Sequence, residues 1–128
     1  MSGATQVVVV ADDDRVTRRV LSALLERHGY EVHTAADGEE TLALVRSLRP
    51  SALFVDAMMP PPDGYEVCAL IRADPDLATV QPVIVMVTAA GQEADRARAV
   101  EAGVDDFVTK PFSPSQLSAK LQQLVPHG

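Results

Sequence analysis

The sequence is poor in aromatic residues, contains one cysteine and has no long hydrophobic run. Trp is absent, and Phe, Tyr and Trp together make up 4% of the 128 residues. The single cysteine, Cys68, excludes an internal disulfide and is typical of a reducing compartment, so we expect a cytoplasmic protein. No apolar run approaches the length of a membrane span, and the N-terminus lacks the basic-then-apolar pattern of a signal peptide. These absences argue against a disulfide-stapled secreted module and against a membrane-spanning chain.

Basic residues are also scarce. Eleven Lys and Arg against eighteen Asp and Glu give a net charge of −7, which argues against direct binding to nucleic acid or to an anionic membrane. The three histidines are scattered and suggest no metal site. With 128 residues the chain is long enough for one core and too short for two, so we expect a single domain over residues 1–128.

Strand and helix periods alternate along the chain. Five strands are predicted, at residues 7–11, 31–35, 52–55, 83–87 and 106–109. The first, third and fourth are continuously apolar and therefore central, whereas the second and fifth are mixed and peripheral. This pattern predicts an α/β fold with a doubly wound, five-stranded parallel sheet in the order 2-1-3-4-5, the flavodoxin-like (βα)5 arrangement.

The intervening helices differ in how much surface they can bury. The first is expected to turn five apolar residues inward: Val16, Val20, Leu21, Leu24 and Leu25. The fourth, at residues 93–102, has a mostly alanine apolar side with Val100 as its only larger residue, so it should be loosely held. Asp14 and Asp63 are interpreted as helix starts, and Cys68 as a packing residue. Four arginines are assigned to solvated surface, namely Arg18, Arg19, Arg96 and Arg98, with a phosphodonor contact as the alternative for the first two.

Polar side chains stand where the predicted strands end. Asp12 and Asp13 follow the first strand and Asp56 follows the third, the two strands that flank the switch point of this strand order. Thr88 and Lys110 follow the next two strands. Five polar groups are thus expected to converge at one rim of the sheet.

Crowding of the three carboxylates indicates the chemistry of this rim. At about 4 Å and an effective dielectric constant near 20, each pair would repel by roughly 4 kcal/mol, so either one carboxyl holds a proton or a cation lies among them. Oxygen ligands with room for water suit Mg²⁺. Lys110 and Thr88 suit a phosphoryl group, and Asp56 is placed to attack phosphorus and form an aspartyl phosphate.

These motifs, in this order and at these spacings, resemble the receiver domain of two-component response regulators, the CheY-like family, over residues 7–125. An acidic pair ends the first strand, at Asp12-Asp13. The phosphoacceptor stretch D-x-x-M-P-x-x-D-G is matched by Asp56, Met59, Pro60, Asp63 and Gly64. The Ser/Thr followed by small residues is matched by Thr88-Ala89-Ala90, and the K-P-F ending by Lys110-Pro111-Phe112.

The resemblance implies specific roles. Asp13, Asp56 and the Met58 carbonyl would bind Mg²⁺, with Asp12 acting mostly through water. A cis Lys110-Pro111 bond would aim the lysine into the site. Phosphorylation would draw the Thr88 hydroxyl inward, and the aromatic ring of Phe107 would follow.

The resemblance also implies partners and an output. A histidine kinase or histidine phosphotransfer protein would donate the phosphoryl group, and the modified face between the fourth and fifth helices would bind a downstream protein or a second copy of the chain. The chain would act as a phosphoacceptor that assists its own phosphorylation and dephosphorylation, and not as an enzyme.

The sequence departs from the family pattern at two places. Phe107 lacks the phenolic hydroxyl of the commoner tyrosine, so its inward state should depend on packing alone. Pro61-Pro62 stand where an apolar residue is more frequent, and they stiffen the loop and remove two backbone donors.

Two other classes share part of the pattern. A flavin-binding electron carrier uses the same strand order but needs a phosphate cradle after the first strand, where three aspartates would repel phosphate. A small phosphatase with an Asp nucleophile usually has a second acid two residues later, and Met58 occupies that position.

Overall fold

The computed structural model describes residues 6–89, 96–110 and 113–124. Strands and helices alternate along the chain. The strands are β1 (Val7–Ala11), β2 (Glu31–Ala35), β3 (Ala52–Asp56), β4 (Val83–Ala89) and β5 (Asp106–Lys110). The helices are α1 (Arg15–Arg27), α2 (Gly38–Leu48), α3 (Gly64–Ala73), α4 (Arg96–Ala102) and α5 (Pro114–Leu124). A 3-10 turn, Pro75–Leu77, lies between α3 and β4.

The five strands form one parallel sheet in the order β2-β1-β3-β4-β5, which confirms the predicted fold. The continuously apolar strands β1, β3 and β4 are central, because each is covered on both faces. The mixed strand β2 lies at one edge, and β5 lies at the other. The register pairs Asp56 with Val87, so the ends of β3 and β4 lie side by side.

Two apolar clusters pack on opposite faces of the sheet. On one face, alternate sheet residues pack against α2, α3 and α4, with Val45, Val67, Ile71 and Ala99 supplied by the helices. On the other face, Phe54 and Val85 pack against α1 and α5 through Leu21, Leu25 and Leu117. Cys68 is buried in the first cluster, where burial raises the pKa of its thiol to about 12, so the predicted packing role fits its surroundings.

The inner face of α1 differs from the prediction. Leu21 and Leu25 are fully buried, but Val16 is 68% exposed and Val20 is 48% exposed. The side of α1 that faces the protein follows residues 18, 21, 25 and 28, a helical stripe whose two ends are polar. Both polar ends of the stripe form hydrogen bonds with the rest of the protein. Arg18 donates to the Asp12 carbonyl, and His28 bonds the Ser118 hydroxyl of α5 at 3.0 Å. The expectation of an inward-facing valine row was therefore wrong.

The helix starts follow the predicted chemistry. Asp14 accepts a bond from the Val16 amide, which makes it the N-cap of α1. Asp63 and Glu66 form a capping box at α3. At α5, Ser113 and Gln116 exchange two bonds of the same kind, at 3.0 and 3.1 Å.

Arg72 links three segments behind the sheet. Its guanidinium donates to the Gly103 carbonyl at 2.9 Å, to the Pro82 carbonyl at 2.8 Å and to Asp105 at 2.9 Å. Asp105 in turn accepts from the Ile84 amide at 2.8 Å. The end of α3, the start of β4 and the turn before β5 are thus held by one charged side chain. Among the described residues, no helix has both the length and the apolar character needed to cross a bilayer.

Candidate functional site

Three carboxylates meet at the carboxyl ends of β1 and β3. Asp12 and Asp13 follow β1, and Asp56 is the last residue of β3. One carboxylate oxygen from each lies within 4.8 Å of the other two. Asp12 and Asp56 are buried, at 2% and 7% exposure, whereas Asp13 is exposed. The parallel strand order creates this meeting point, because connections leave β1 and β3 toward opposite faces of the sheet.

Asp12 is fixed through all of its polar groups. Its amide donates to the Ala35 carbonyl at 3.1 Å, and its carbonyl accepts from Arg18 Nη1 at 2.7 Å. Its Oδ1 accepts from the Asp14 amide at 2.8 Å, and its Oδ2 accepts from Lys110 Nζ at 3.1 Å. These partners satisfy the polar atoms of the buried Asp12 side chain and fix its position.

Asp56 has fewer partners. Its Oδ1 accepts from the Met58 amide at 3.1 Å, and its Oδ2 lies 3.8 Å from Lys110 Nζ. The pKa of the Asp56 carboxyl is raised to about 6, chiefly by burial and also by the neighbouring Asp12 and Asp13, against the opposing effects of the Met58 amide and Lys110. The Asp56 carboxyl is thus mostly ionised at neutral pH, although burial and the neighbouring carboxylates destabilise its charged form.

The donor set fits a hard divalent cation. Three carboxylate oxygens lie close together, and one of the three residues, Asp13, is exposed to solvent. Mg²⁺ prefers oxygen ligands, keeps several waters and is usually bound by one or two carboxylates. A cation here would relieve the repulsion that raises the pKa of Asp56.

The remaining predicted residues lie at the same rim or next to it. Lys110 ends β5 and reaches across to Asp12 and Asp56. Thr88 is buried one residue beyond Val87, the register partner of Asp56, and Ala89 ends β4. Ala90 and the Lys110-Pro111 bond, predicted to be cis, fall outside the described residues.

Two glycines are in close contact with backbone atoms at the ends of the loop from β3 to α3. The Gly64 amide donates to the Ala57 carbonyl at 3.1 Å, and a Cβ added at Gly64 would collide with the Asp56 carbonyl oxygen. A Cβ added at Gly38 of α2 would collide with the Pro62 carbonyl oxygen. The peptide between Pro61 and Pro62 is cis.

Arg96 and Arg98 of α4 are exposed, as predicted, and each also contacts a neighbouring side chain. Arg98 pairs with Asp63, the N-cap of α3, at 3.0 Å, and its guanidinium lies 4.4 Å from the centre of the Tyr65 ring. Arg96 lies 4.8 Å from the centre of the Phe107 ring. Val100 is 70% exposed, and Ala99 and Ala102 form the buried side of the helix. Because these alanines bury little area, the arginine contacts supply much of what attaches α4.

Replacing Arg98 by Ala should loosen α4. The ion pair and the contact with the ring together should contribute about 1 kcal/mol. We expect faster amide hydrogen exchange across α4, with little change in α1 and α2. Arg46→Ala, which removes an Arg–Asp pair between α2 and Asp74, is the matched control and should leave α4 exchange unchanged. Equal exchange rates in α4 for both variants and the wild type would contradict this assignment.

Comparison with known proteins identifies the family. The sequence profile of the response regulator receiver domain matches residues 8–122. The chain therefore belongs to the family of response regulator receiver domains, part of two-component signalling, as its motifs indicated.

Curated relatives are longer proteins. Over 118 residues, which are 92% of this chain and 47% of that protein, the chain is 44% identical to the probable transcriptional regulator ycf27 of Cyanophora paradoxa. It is 37% identical over 118 residues to the alkaline phosphatase synthesis transcriptional regulatory protein PhoP of Bacillus subtilis, covering 92% of this chain and 48% of that protein. The chain thus spans about half the length of the curated relatives it matches.

Solved structures share the whole fold. A putative response regulator from Chloroflexus aurantiacus superposes with a TM-score of 0.88 at 33% identity, covering 97% of this chain and 100% of that chain. The receiver domain of a sensor histidine kinase from Pseudomonas aeruginosa, with a magnesium ion coordinated in its active-site cleft, gives a TM-score of 0.85 at 31% identity, covering 97% of this chain and 100% of that chain.

Proposed function

We propose that this receiver domain is a signalling switch that accepts a phosphoryl group on Asp56. The observation that carries the proposal is the surroundings of that carboxylate. Asp56 ends β3 beside Asp12 and Asp13, with the ammonium group of Lys110 at 3.8 Å. A buried nucleophile flanked by further acids and one cation is suited to receive a charged phosphoryl group once a divalent ion compensates the acids.

The transfer balances with a carboxylate nucleophile. An Asp56 oxygen forms a bond to phosphorus, the bond from phosphorus to the donor breaks, and the donor leaves with that electron pair. With a pKa of about 6, the carboxyl is mostly in the nucleophilic form at pH 7. Lys110 stabilises negative charge on the phosphoryl oxygens, and Thr88 supplies a hydroxyl donor at the end of β4.

Asp13 and Asp56, with the Met58 carbonyl, would hold Mg²⁺, and Asp12 would act mostly through water. The bound ion would neutralise charge on the carboxylates and the phosphoryl oxygens. Asp12 would also position Lys110, to which it is already bonded.

The output would be a change in partner binding. Thr88 moving toward the phosphoryl group would leave space for the ring of Phe107, and the face formed by α4, β5 and α5 would change. Phe107 already packs against one core cluster and contacts Arg96, so packing and this cation contact would set its balance. A histidine kinase or histidine phosphotransfer protein would be the donor. A downstream protein or a second copy of this chain would be the reader. Transcriptional regulators are among the relatives, which supports testing a role in gene control first.

The first test is intact mass after incubation with acetyl phosphate and Mg²⁺. We expect a gain of one phosphoryl group, absent with EDTA and absent in Asp56→Asn. Asp76→Asn, an exposed carboxylate on the turn after α3, should gain mass as the wild type does. A phosphoryl group on Asp56→Asn would move the acceptor to another residue. No gain in the wild type, together with no Mg²⁺ binding in a titration, would overturn the proposed function.

A further inference from the structure

We propose that Arg18 is a positioning residue that holds the Asp13 carboxylate at the site by fixing the peptide between Asp12 and Asp13. The inference builds on the proposed function, because it concerns the same acidic site. Arg18 was expected on the solvated surface, and its bond to the Asp12 carbonyl places it behind the acidic pair instead.

The guanidinium is held in place by the helix that carries it. Arg18 lies on the inner stripe of α1, one turn before Leu21 and two turns before Leu25, which are both fully buried against the sheet. The backbone amide of Arg18 bonds the Asp14 carbonyl at 3.0 Å, so the side chain starts from the first turn of the helix. At 2.7 Å, the bond from Nη1 to the Asp12 carbonyl is a short charge-assisted bond.

Asp13 needs this support more than Asp12 does. The Asp12 carboxylate is held by the Asp14 amide and by Lys110. Among the described residues, no hydrogen bond or ion pair holds the Asp13 side chain, which is exposed. The direction of its carboxylate is therefore set by the backbone, and the plane of the preceding peptide is fixed at its carbonyl by Arg18.

Arg18 has two effects on a cation at this site, and they are opposite in sign. Its positive charge repels a divalent ion, so removing that charge alone would tighten binding. Its bond orients a ligand, so removing the bond would weaken binding, as loss of groups that orient metal ligands typically does by 10–100-fold. We propose that the orienting effect on Mg²⁺ affinity is larger than the effect of charge repulsion. The direction of the change in affinity therefore decides between the two.

The experiment measures Mg²⁺ affinity by calorimetric titration at fixed pH and ionic strength. Arg18→Ala should weaken Mg²⁺ binding about tenfold. Arg18→Lys should recover part of the loss, because an ammonium group can donate to the same carbonyl. Arg19→Ala is the matched control: the adjacent arginine is exposed, and its loss removes the same charge without the bond. It should leave affinity unchanged or slightly higher.

A second readout does not involve metal. In the absence of Mg²⁺, the Asp13 amide resonance should shift in Arg18→Ala and stay in place in Arg19→Ala. If Arg18→Ala does not fold, Arg18→Gln replaces it in the comparison. Arg18→Gln should then bind Mg²⁺ more weakly than Arg18→Lys, and Arg18→Lys more weakly than the wild type. Affinity in Arg18→Ala equal to or tighter than in the wild type overturns the proposal while leaving Asp56 as acceptor. Absence of Mg²⁺ binding in the wild type overturns this proposal together with the metal part of the proposed function, and the acetyl phosphate experiment then tests the acceptor separately.

Discussion

In EDTA at pH 8, Asp56→Asn is expected to unfold at a higher urea concentration than the wild type. The pKa of the Asp56 carboxyl is raised from 3.8 to about 6 in the folded protein. A shift of this size corresponds to a cost of up to about 3 kcal/mol at pH 8, because the folded state holds the charge less readily than the unfolded chain. The attraction of Lys110 is already included in this pKa, but the Asn amide remains a buried polar group with fewer partners, so we expect a net stabilisation of about 1–2 kcal/mol.

The pH dependence has a defined direction. Between pH 4 and about pH 6 the folded state binds more protons at Asp56 than the unfolded state does, so wild-type stability falls as the pH rises through this window. Asp14, Asp74 and Asp106 have lowered pKa values and act in the opposite direction, but they are present in both proteins. The difference between wild type and Asp56→Asn therefore isolates Asp56.

Urea unfolding followed by far-UV circular dichroism measures this difference, since the chain has no Trp. Asp76→Asn serves as the control and should not change the slope between pH 4 and 6. Adding Mg²⁺ should stabilise the wild type and remove the advantage of the variant. If the free energy of unfolding depends on pH in the same way for the wild type and Asp56→Asn in EDTA, the pKa of Asp56 is not raised as described.

Gly64→Ala should destabilise the protein by about 3 kcal/mol, which corresponds to a fall in Tm of about 10 °C. Alanine normally stabilises a helix relative to glycine by about 1 kcal/mol, and Gly64 lies in the first turn of α3. At this position the added Cβ would collide with the Asp56 carbonyl oxygen and lie 2.9 Å from the Ala57 Cα. Both obstacles are backbone atoms, so the loop or the helix must move.

Gly29→Ala is the matched control for this substitution. Gly29 has a φ of +91°, a conformation that favours glycine, but a Cβ there would meet nothing within 4 Å. It should lose only about 1–2 kcal/mol, from backbone strain without collision. Thermal unfolding of both variants gives the comparison. A smaller loss for Gly64→Ala than for Gly29→Ala would mean that the loop can yield without cost, which would contradict the tight contact described.

The fold could be predicted because its determinants are local. The apolar runs of β1, β3 and β4 and the mixed patterns of β2 and β5 indicate which strands are covered on both faces, and that favours the doubly wound order 2-1-3-4-5. The polar residues at strand ends could likewise be placed together, since parallel strands end at a common edge. The sequence pattern alone was sufficient to predict that Asp12, Asp56 and Lys110 lie close together, because their positions follow from the ends of β1, β3 and β5.

The contacts of arginine could not be predicted in the same way. A long cationic side chain reaches several ångströms from its backbone, so its partner depends on tertiary structure. Arg18 and His28 made the inner stripe of α1 look polar, and the valines were assigned inward instead. A stripe at 18, 21, 25 and 28 was present in the sequence, but only a fold with a carbonyl at one end and α5 at the other makes it the buried side. Arg98 meets Asp63 and Tyr65 across two helices, and no local pattern indicates that meeting.

The two glycine contacts of the β3–α3 loop have a consequence for how freely this stretch of sequence can vary. The loop is held at Gly64 against the Asp56 carbonyl and at Gly38 against the Pro62 carbonyl, so backbone atoms fix its course at both ends. Met59 of this loop is also buried in the core, whereas the exposed Pro60 contributes less to that course. Substitutions at exposed positions such as Pro60 should therefore disturb Asp56 less than substitutions at the two glycines. We expect a change at the exposed part of the loop to alter what a partner contacts and to leave the acceptor in place.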